Sequence, residues 1–194
     1  CVERMPLTVE SAACLDALLS FPTVNVTEVD VNGNTVLHRL VSKYHGMLMD
    51  SSSTTTVQNN YHDFITTIIL KIVNLNPAAL TVADKKGFTP LMQYVKMMPC
   101  TTASSTFLDT VLPLTPLLPG VMTALLHCIL SNDQLFTIGP DMLISIATQL
   151  ITLGADVNWS SRDEGTSIIM RLAVKITRNT KWVSFFQVML PKVE

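Results

Sequence analysis

The sequence predicts an all-α solenoid of about four and a half helix–turn–helix units with short projecting hairpins. Three observations lead there. The segments GNTVLHRLVSK (33–43), GFTPLMQYVKM (87–97) and GTSIIMRLAVK (165–175) overlay without gaps. Each reads as Gly, any residue, Thr or Ser, a variable position, an aliphatic, then His or Met and a further hydrophobic stretch. Within them the apolar residues recur at helical spacing, as Leu37, Leu40 and Val41, as Leu91, Tyr94 and Val95, and as Ile169, Leu172 and Ala173. Stop signals precede them: Gly154 in LITLGADVNW (150–159), Pro77 in NPAALTVADKKG (76–87), and a looser version in FPTVNVTEVDVNG (21–33).

The local chemistry explains each element in turn. Gly33, Gly87 and Gly165 suit a tight turn that requires positive φ. Thr35, Thr89 and Ser167 stand where a hydroxyl can cap the amides that open a helix, and Pro90 follows where a missing N–H costs nothing. A fourth, degraded start is TALLHCILSN (123–132), since Thr123 follows Thr89 by 34 residues, Leu125 aligns with Leu91, and the Asp-x-x-Gly is missing. The pattern predicts helices over 8–20, 35–47, 61–75, 89–98, 105–114, 122–131, 140–153, 167–177 and 181–190. GMLMDSSSTTTVQNNY (46–61) is too polar to pack and reads as an insertion loop, and PCTTASST (99–106) as a second.

Composition narrows the function. The 194 residues are 48% hydrophobic and 14% charged, with mean hydropathy +0.38, so the chain has ample material for a core. Thirteen Lys and Arg against fifteen Asp and Glu leave a net charge of −2, too balanced and dilute for phosphate-neutralising contact with nucleic acid. Cysteines at 1, 14, 100 and 128 show no C-x-x-C and no dense framework, which reads as reduced thiols in an intracellular, cytoplasmic setting. The chain opens on Cys1 without a basic-then-apolar leader and reads as a piece of a longer polypeptide. Between Asp109 and Asp133 no residue is formally charged, but Pro113, Pro116, Pro119 and Gly120 break the run, so a buried helix is expected there and no membrane insertion.

The three hairpin segments, with Asp30 before Gly33 and Asp84 before Gly87, resemble the ankyrin repeat, D-x-x-G-x-T-P-L-H-x-A at a period of about 33 residues. Thr89, Pro90 and Leu91 keep that signature in the second copy, Leu37 and His38 in the first, and LITLGADVN matches the close of a unit. The resemblance implies a single domain over 1–194, with units near 1–29 (partial), 30–83, 84–119, 120–161 and 162–194 (partial). It gives His38 a hydrogen-bonding role between neighbouring loops. It also departs from the pattern at Val36, Met92 and Ile168, and in the extra residue between Asn158 and Gly165.

What the resemblance implies about function is partner binding through hairpin tips and the inner-helix face. On the hairpins the candidate partner-binding residues are Asn32, Asn34, Lys85, Lys86, Phe88, Trp159 and Arg162; on the inner helices they are Arg39, Lys43, Gln93, Lys96, Arg171 and Lys175. The recurrence of cations points to an acidic or phosphorylated segment of a protein partner. The alternative is a regulatory or targeting domain of a larger enzyme or membrane protein whose active part lies elsewhere.

Catalytic chemistry has little to work with. Adjacent helix residues such as His127 and Cys128 point about 100° apart and cannot share a proton. A hydrolase using Cys128 or Cys100 is the weaker rival, and a metal site joining His45, His62 and Asp63 weaker still. No phosphate loop or H-E-x-x-H occurs, so no catalytic residue, cofactor or metal is expected. The ten methionines read mostly as core, and Trp182, Phe185 and Phe186 as apolar surface on the last helix.

Overall fold

A computed structural model of the chain describes residues 9–21, 23–48, 55–98, 102–115, 118–132, 140–160, 167–176 and 181–189; within these the backbone alone is described at 9–13, 44–48, 55–64, 102–103, 175–176, 181, 184 and 188–189. The described residues are mostly helical and contain no strand. The helices are α1 (Val9–Leu19), α2 (Val36–Leu48), α3 (Thr55–Leu75), α4 (Pro90–Met97), α5 (Thr102–Val111), α6 (Pro119–Leu130), α7 (Pro140–Thr152), α8 (Ile168–Ile176) and α9 (Lys181–Met189). Short 3-10 turns occupy Pro77–Leu80 and Leu112–Leu114. The chain divides into two compact units: unit one holds 1–94 and 110–116, unit two holds 95–109 and 117–194.

In unit one α3 is the central element. Its Ile65, Ile68, Ile69, Ile72 and Val73 are all buried, a period-3.6 stripe with β-branched side chains. Both α1 and α2 pack on it, as does the turn at Pro77–Leu80, and Leu15, Leu37, Leu40 and Leu80 complete the core. Asn76 caps that turn by accepting the amide of Ala78 at 3.0 Å, and Pro77 follows where its missing N–H is harmless. Lys71 pairs with Asp16 at 2.5 Å on the surface.

In unit two α6 packs against α7 and α8, and α9 packs on α7 and α8. Leu125, Leu126, Leu130, Leu143, Ile146 and Leu150 form its centre. The end of α7 explains why a glycine stands at 154. Its φ is +98°, the Gly154 amide donates to Ile151, and the Ala155 amide donates to Leu150, each at 3.0 Å. This is a Schellman closure, with buried Ala155 and Leu150 making the apolar contact that accompanies it.

Helices α2, α4 and α8 open as the hydroxyl positions suggest: Thr89 accepts the Met92 amide and Ser167 the Met170 amide, each at 3.2 Å, with a longer 3.5 Å contact from His38 to Thr35. Several expectations change. Helix α3 begins at Thr55, so the polar tract at 46–61 contributes helix at both ends, with 49–54 outside the described residues. Helix α5 likewise starts inside the second expected insertion. Helix α6 begins at Pro119, which places Thr123 within the helix, donating to the Pro119 carbonyl at 2.8 Å.

The expected exposed face of the last helix is a correction: Trp182 and Phe185 are buried at 1% and 4% exposure and meet edge to face at 5.7 Å. Their helix packs on α7 and α8, where large side chains gain most from leaving water, while Phe186 is half-buried. Met92, Met98 and Met122 are core, whereas Met170 is exposed. Among the described residues no helix is long and apolar enough to cross a membrane. The uncharged stretch is broken where its prolines stand, with α5 ending at Val111 and α6 opening at Pro119.

Candidate functional site

Two hairpins in unit one share one wiring, and it follows from their Asp-x-x-Gly sequences. The Asp30 carboxylate accepts the amides of Asn32 and Asn34 at 2.8 and 2.9 Å, and Asp84 accepts those of Lys86 and Phe88 at the same distances. The backbone closes in parallel fashion, Asp30 donating to Asn34 and Gly33 to Asp30, then Asp84 to Phe88 and Gly87 to Asp84. Gly33 and Gly87 take φ of +79° and +83°. The hairpins also touch: the Lys85 amide donates to the Asn32 carbonyl at 3.1 Å.

Below this contact His38 is fully buried and ties the first copy to the second. The Thr35 amide donates to its Nδ1 at 3.0 Å, and an amide can only donate, so Nδ1 is the acceptor. The neutral ring therefore carries its proton on Nε2, which lies 2.9 Å from the Phe88 carbonyl and donates to it. Burial holds the imidazole below its ordinary pKa of 6.5, partly offset by the Phe88 carbonyl and by Asp84 and Asp30.

The hairpin carboxylates have a second use. Arg39 donates from Nε to Asp30 at 3.0 Å and makes a second, shorter contact through Nη2. That pairing, with the two backbone amides, holds the Asp30 carboxyl far below the usual carboxylate range. Gln93 donates to Asp84 at 3.3 Å from the aligned position. Ser42 reaches Gln93 at 3.4 Å.

These bonds sort the candidate residues of unit one. Lys85, Lys86 and Asn32 are exposed, and Asn34 and Lys43 are half-buried. Arg39 is committed to Asp30. Phe88, expected at a projecting tip, is half-buried and its carbonyl and amide are both used inside the hairpin pair.

In unit two, Trp159 is 37% exposed and meets His127 edge-on, with ring centroids 5.2 Å apart at 76°. Its carbonyl accepts the Ile168 amide at 3.3 Å, beside an isolated bridge between Ser160 and Ser167. Thr123 accepts the Asp156 amide at 2.8 Å. Burial first, then the Arg171 charge, holds His127 below its ordinary value. Lys96 is exposed and Arg171 half-buried. Arg162 and the side chain of Lys175 lie outside the described residues, as do Cys1, Cys100 and the side chains of His45, His62 and Asp63.

Cys128 is buried, and burial pushes its thiol up to about 11 against the opposing pull of Lys96 and Arg171. It is therefore a protonated thiol at neutral pH and a poor nucleophile. Among the described residues no group of three His, Cys, Asp or Glu is placed to hold a metal ion. His127 was not among the residues singled out for partner binding from the sequence. Its signal was positional, because it aligns with Arg39, Gln93 and Arg171, and all four are half-buried.

No protein-family model matches the chain, and neither a curated protein nor a solved structure matches it significantly.

Proposed function

We propose that this chain is a divergent ankyrin-type repeat array that binds a partner protein through its hairpin tips and inner-helix surfaces, with no catalysis of its own. The observation that carries the reading is the repetition in unit one. Two Asp-x-x-Gly hairpins have the same internal hydrogen bonds, stack through Lys85 and Asn32, and are stitched by a buried histidine from the first copy to the backbone of the second. A solenoid unit cannot bury its apolar face alone, and contact between successive units of this kind is what such an array requires. Each hairpin then presents short polar or cationic side chains on a backbone that is already ordered, which lowers the entropic cost of docking. Exposed thiol at Cys14 fits a reducing, intracellular setting for the module.

The test is an affinity capture from cell extract with the wild-type chain beside a Lys85→Glu, Lys86→Glu variant. Both lysines are exposed and only their backbones enter the hairpin wiring, so circular dichroism should be unchanged. A protein retained by the wild type and lost by the variant, then titrated in purified form, supports the reading. Equal retention by both would remove the hairpin tips from the interface.

A further inference from the structure

The two hairpins of unit one meet as one rung of a ladder that is open at both ends. The Lys85 amide of the second donates to the Asn32 carbonyl of the first at 3.1 Å. Both hairpins have the same internal bonds, so Val31 stands in the first as Lys85 does in the second, and Lys86 in the second as Asn32 does in the first. The Val31 amide therefore points out of the first hairpin on the side away from the second, and the Lys86 carbonyl points out of the second on the side away from the first. Among the described residues nothing accepts from that amide or donates to that carbonyl. The next copy cannot continue the ladder in register: Pro119 follows Lys85 by 34 residues, as Thr123 follows Thr89, and a proline has no N–H.

The side chains at the two ends are complementary. At the amide end Val31 is 83% exposed and Val29 49%. Glu28, next to Val29 in the chain, is exposed, and among the described residues no cation pairs with it. No lysine or arginine occurs from residue 5 to residue 38, and Asp16 and Asp30 of that stretch are already held by Lys71 and Arg39. At the carbonyl end stand Lys85 and Lys86, both exposed. Their aliphatic stems can cover a valine while their ammonium groups reach a carboxylate.

We propose that the hairpin edge of unit one docks a second copy of the chain head to tail, the Val31 amide of one copy donating to the Lys86 carbonyl of the next and Glu28 meeting its Lys85 and Lys86 ammonium groups. The inference rests on the reading of the hairpin tips as binding surfaces and names the occupant of one of them. It repeats between copies the contact that Lys85 and Asn32 make within one, so the interface continues a pairing the chain already forms. The two copies use different patches, so the contact is heterologous and can propagate beyond a dimer. An interface confined to hairpin edges is small, which makes it weak, and its ion pairs are exposed, which makes it sensitive to salt.

The test is sedimentation equilibrium of the purified full chain from about 5 to about 500 μM, the range in which a small interface associates. The expected result is an average mass that rises with concentration and falls with added salt. Val31→Pro removes the donor and keeps the turn: Gly33 donates to the Asp30 carbonyl and only glycines have positive φ among the described residues, so Val31 is the second residue of a type I turn, where proline is favoured. Val31→Pro, Glu28→Lys and the Lys85→Glu, Lys86→Glu pair should each weaken association about tenfold or more, with unchanged circular dichroism. Mixing Val31→Pro with the Lys85→Glu, Lys86→Glu variant joins one intact end of each and should give a 1:1 dimer that grows no further. A wild type that stays monomeric throughout, association indifferent to these variants, or a mixture that associates no better than its components would overturn the proposal. Capture of a different protein through Lys85 and Lys86 by a monomeric wild type would assign that tip to the other protein and leave the reading above standing.

Discussion

His38 Nε2 lies 2.9 Å from the carbonyl oxygen of Phe88, fifty residues further along, and its Nδ1 accepts the amide of Thr35 at 3.0 Å. The ring thus fills both of its hydrogen-bonding positions with backbone groups and is sealed from water. His38→Ala leaves a buried amide and a carbonyl short of partners and opens a cavity, for a cost of about 2–3 kcal/mol. Urea denaturation should show a lower midpoint with unchanged slope.

The same arrangement makes stability depend on pH. The folded protein holds the His38 imidazole below its ordinary 6.5, so between the two values the unfolded chain binds more protons than the folded one. Stability is therefore complete above about pH 6.5 and declines as pH falls below it. Denaturation midpoints measured from pH 8 down to pH 5 should fall, and His38→Gln should flatten the slope in part; His127, lowered for the same reason, keeps the remainder. A slope unaffected by His38→Gln would show that the ring is not the source.

Gly33 and Gly87 share a left-handed backbone but not an environment. A Cβ on Gly33 would stand 2.9 Å from the Lys85 amide nitrogen, whereas one on Gly87 would meet nothing within 4 Å. Gly87→Ala should cost only the positive-φ penalty, about 1–2 kcal/mol. Gly33→Ala should cost distinctly more, because backbone must also move and the Lys85–Asn32 bond sits at that place. Thermal unfolding of the two variants side by side measures the difference; equal shifts would mean the hairpins are not in contact in solution.

These positions explain what sequence could and could not convey. Glycine, aspartate and hydroxyl at fixed offsets have local causes, a positive φ, an Asx turn and a helix cap, so the hairpins at 30–34 and 84–88, the caps at Thr89 and Ser167 and the stop at Gly154 were readable. The partner of His38 was readable only as a kind of contact. Commitments made by long side chains were not: nothing local says that Arg39 turns back to Asp30 or that Trp182 goes inward. Polar composition misled at Thr55, where α3 starts six residues before the expected helix at 61 and ten before the buried stripe that opens at Ile65.

Asp30 and Asp84 separate the work of a hairpin carboxylate from that of an ion pair. Each accepts two backbone amides, but Asp30 also faces the Arg39 guanidinium where Asp84 faces the neutral amide of Gln93. Asp30→Asn should therefore lower the melting temperature more than Asp84→Asn at neutral pH. Because the folded protein depresses the Asp30 carboxyl, its contribution is present above its ordinary 3.8 and is lost as pH falls further. An Arg39→Gln background should bring the two variants together, and a gap that persists there would assign the difference to the backbone bonds.

Cys14 and Cys128 give a chemical reading of the same packing. Cys14 is exposed on α1, while Cys128 is buried in α6 with its thiol raised from an ordinary 9.0 to about 11. Only the thiolate attacks an alkylating reagent, and at neutral pH Cys128 holds ~100-fold less of it than an unperturbed thiol would. Burial removes access as well. Iodoacetamide at pH 7.5 followed by peptide mapping should label Cys14 readily and leave Cys128 untouched, with labelling of Cys128 appearing only as urea opens the helix pair. Selective modification of Cys128 in the native protein would contradict the packing of α6 and would restore a reactive-cysteine reading that its environment otherwise opposes.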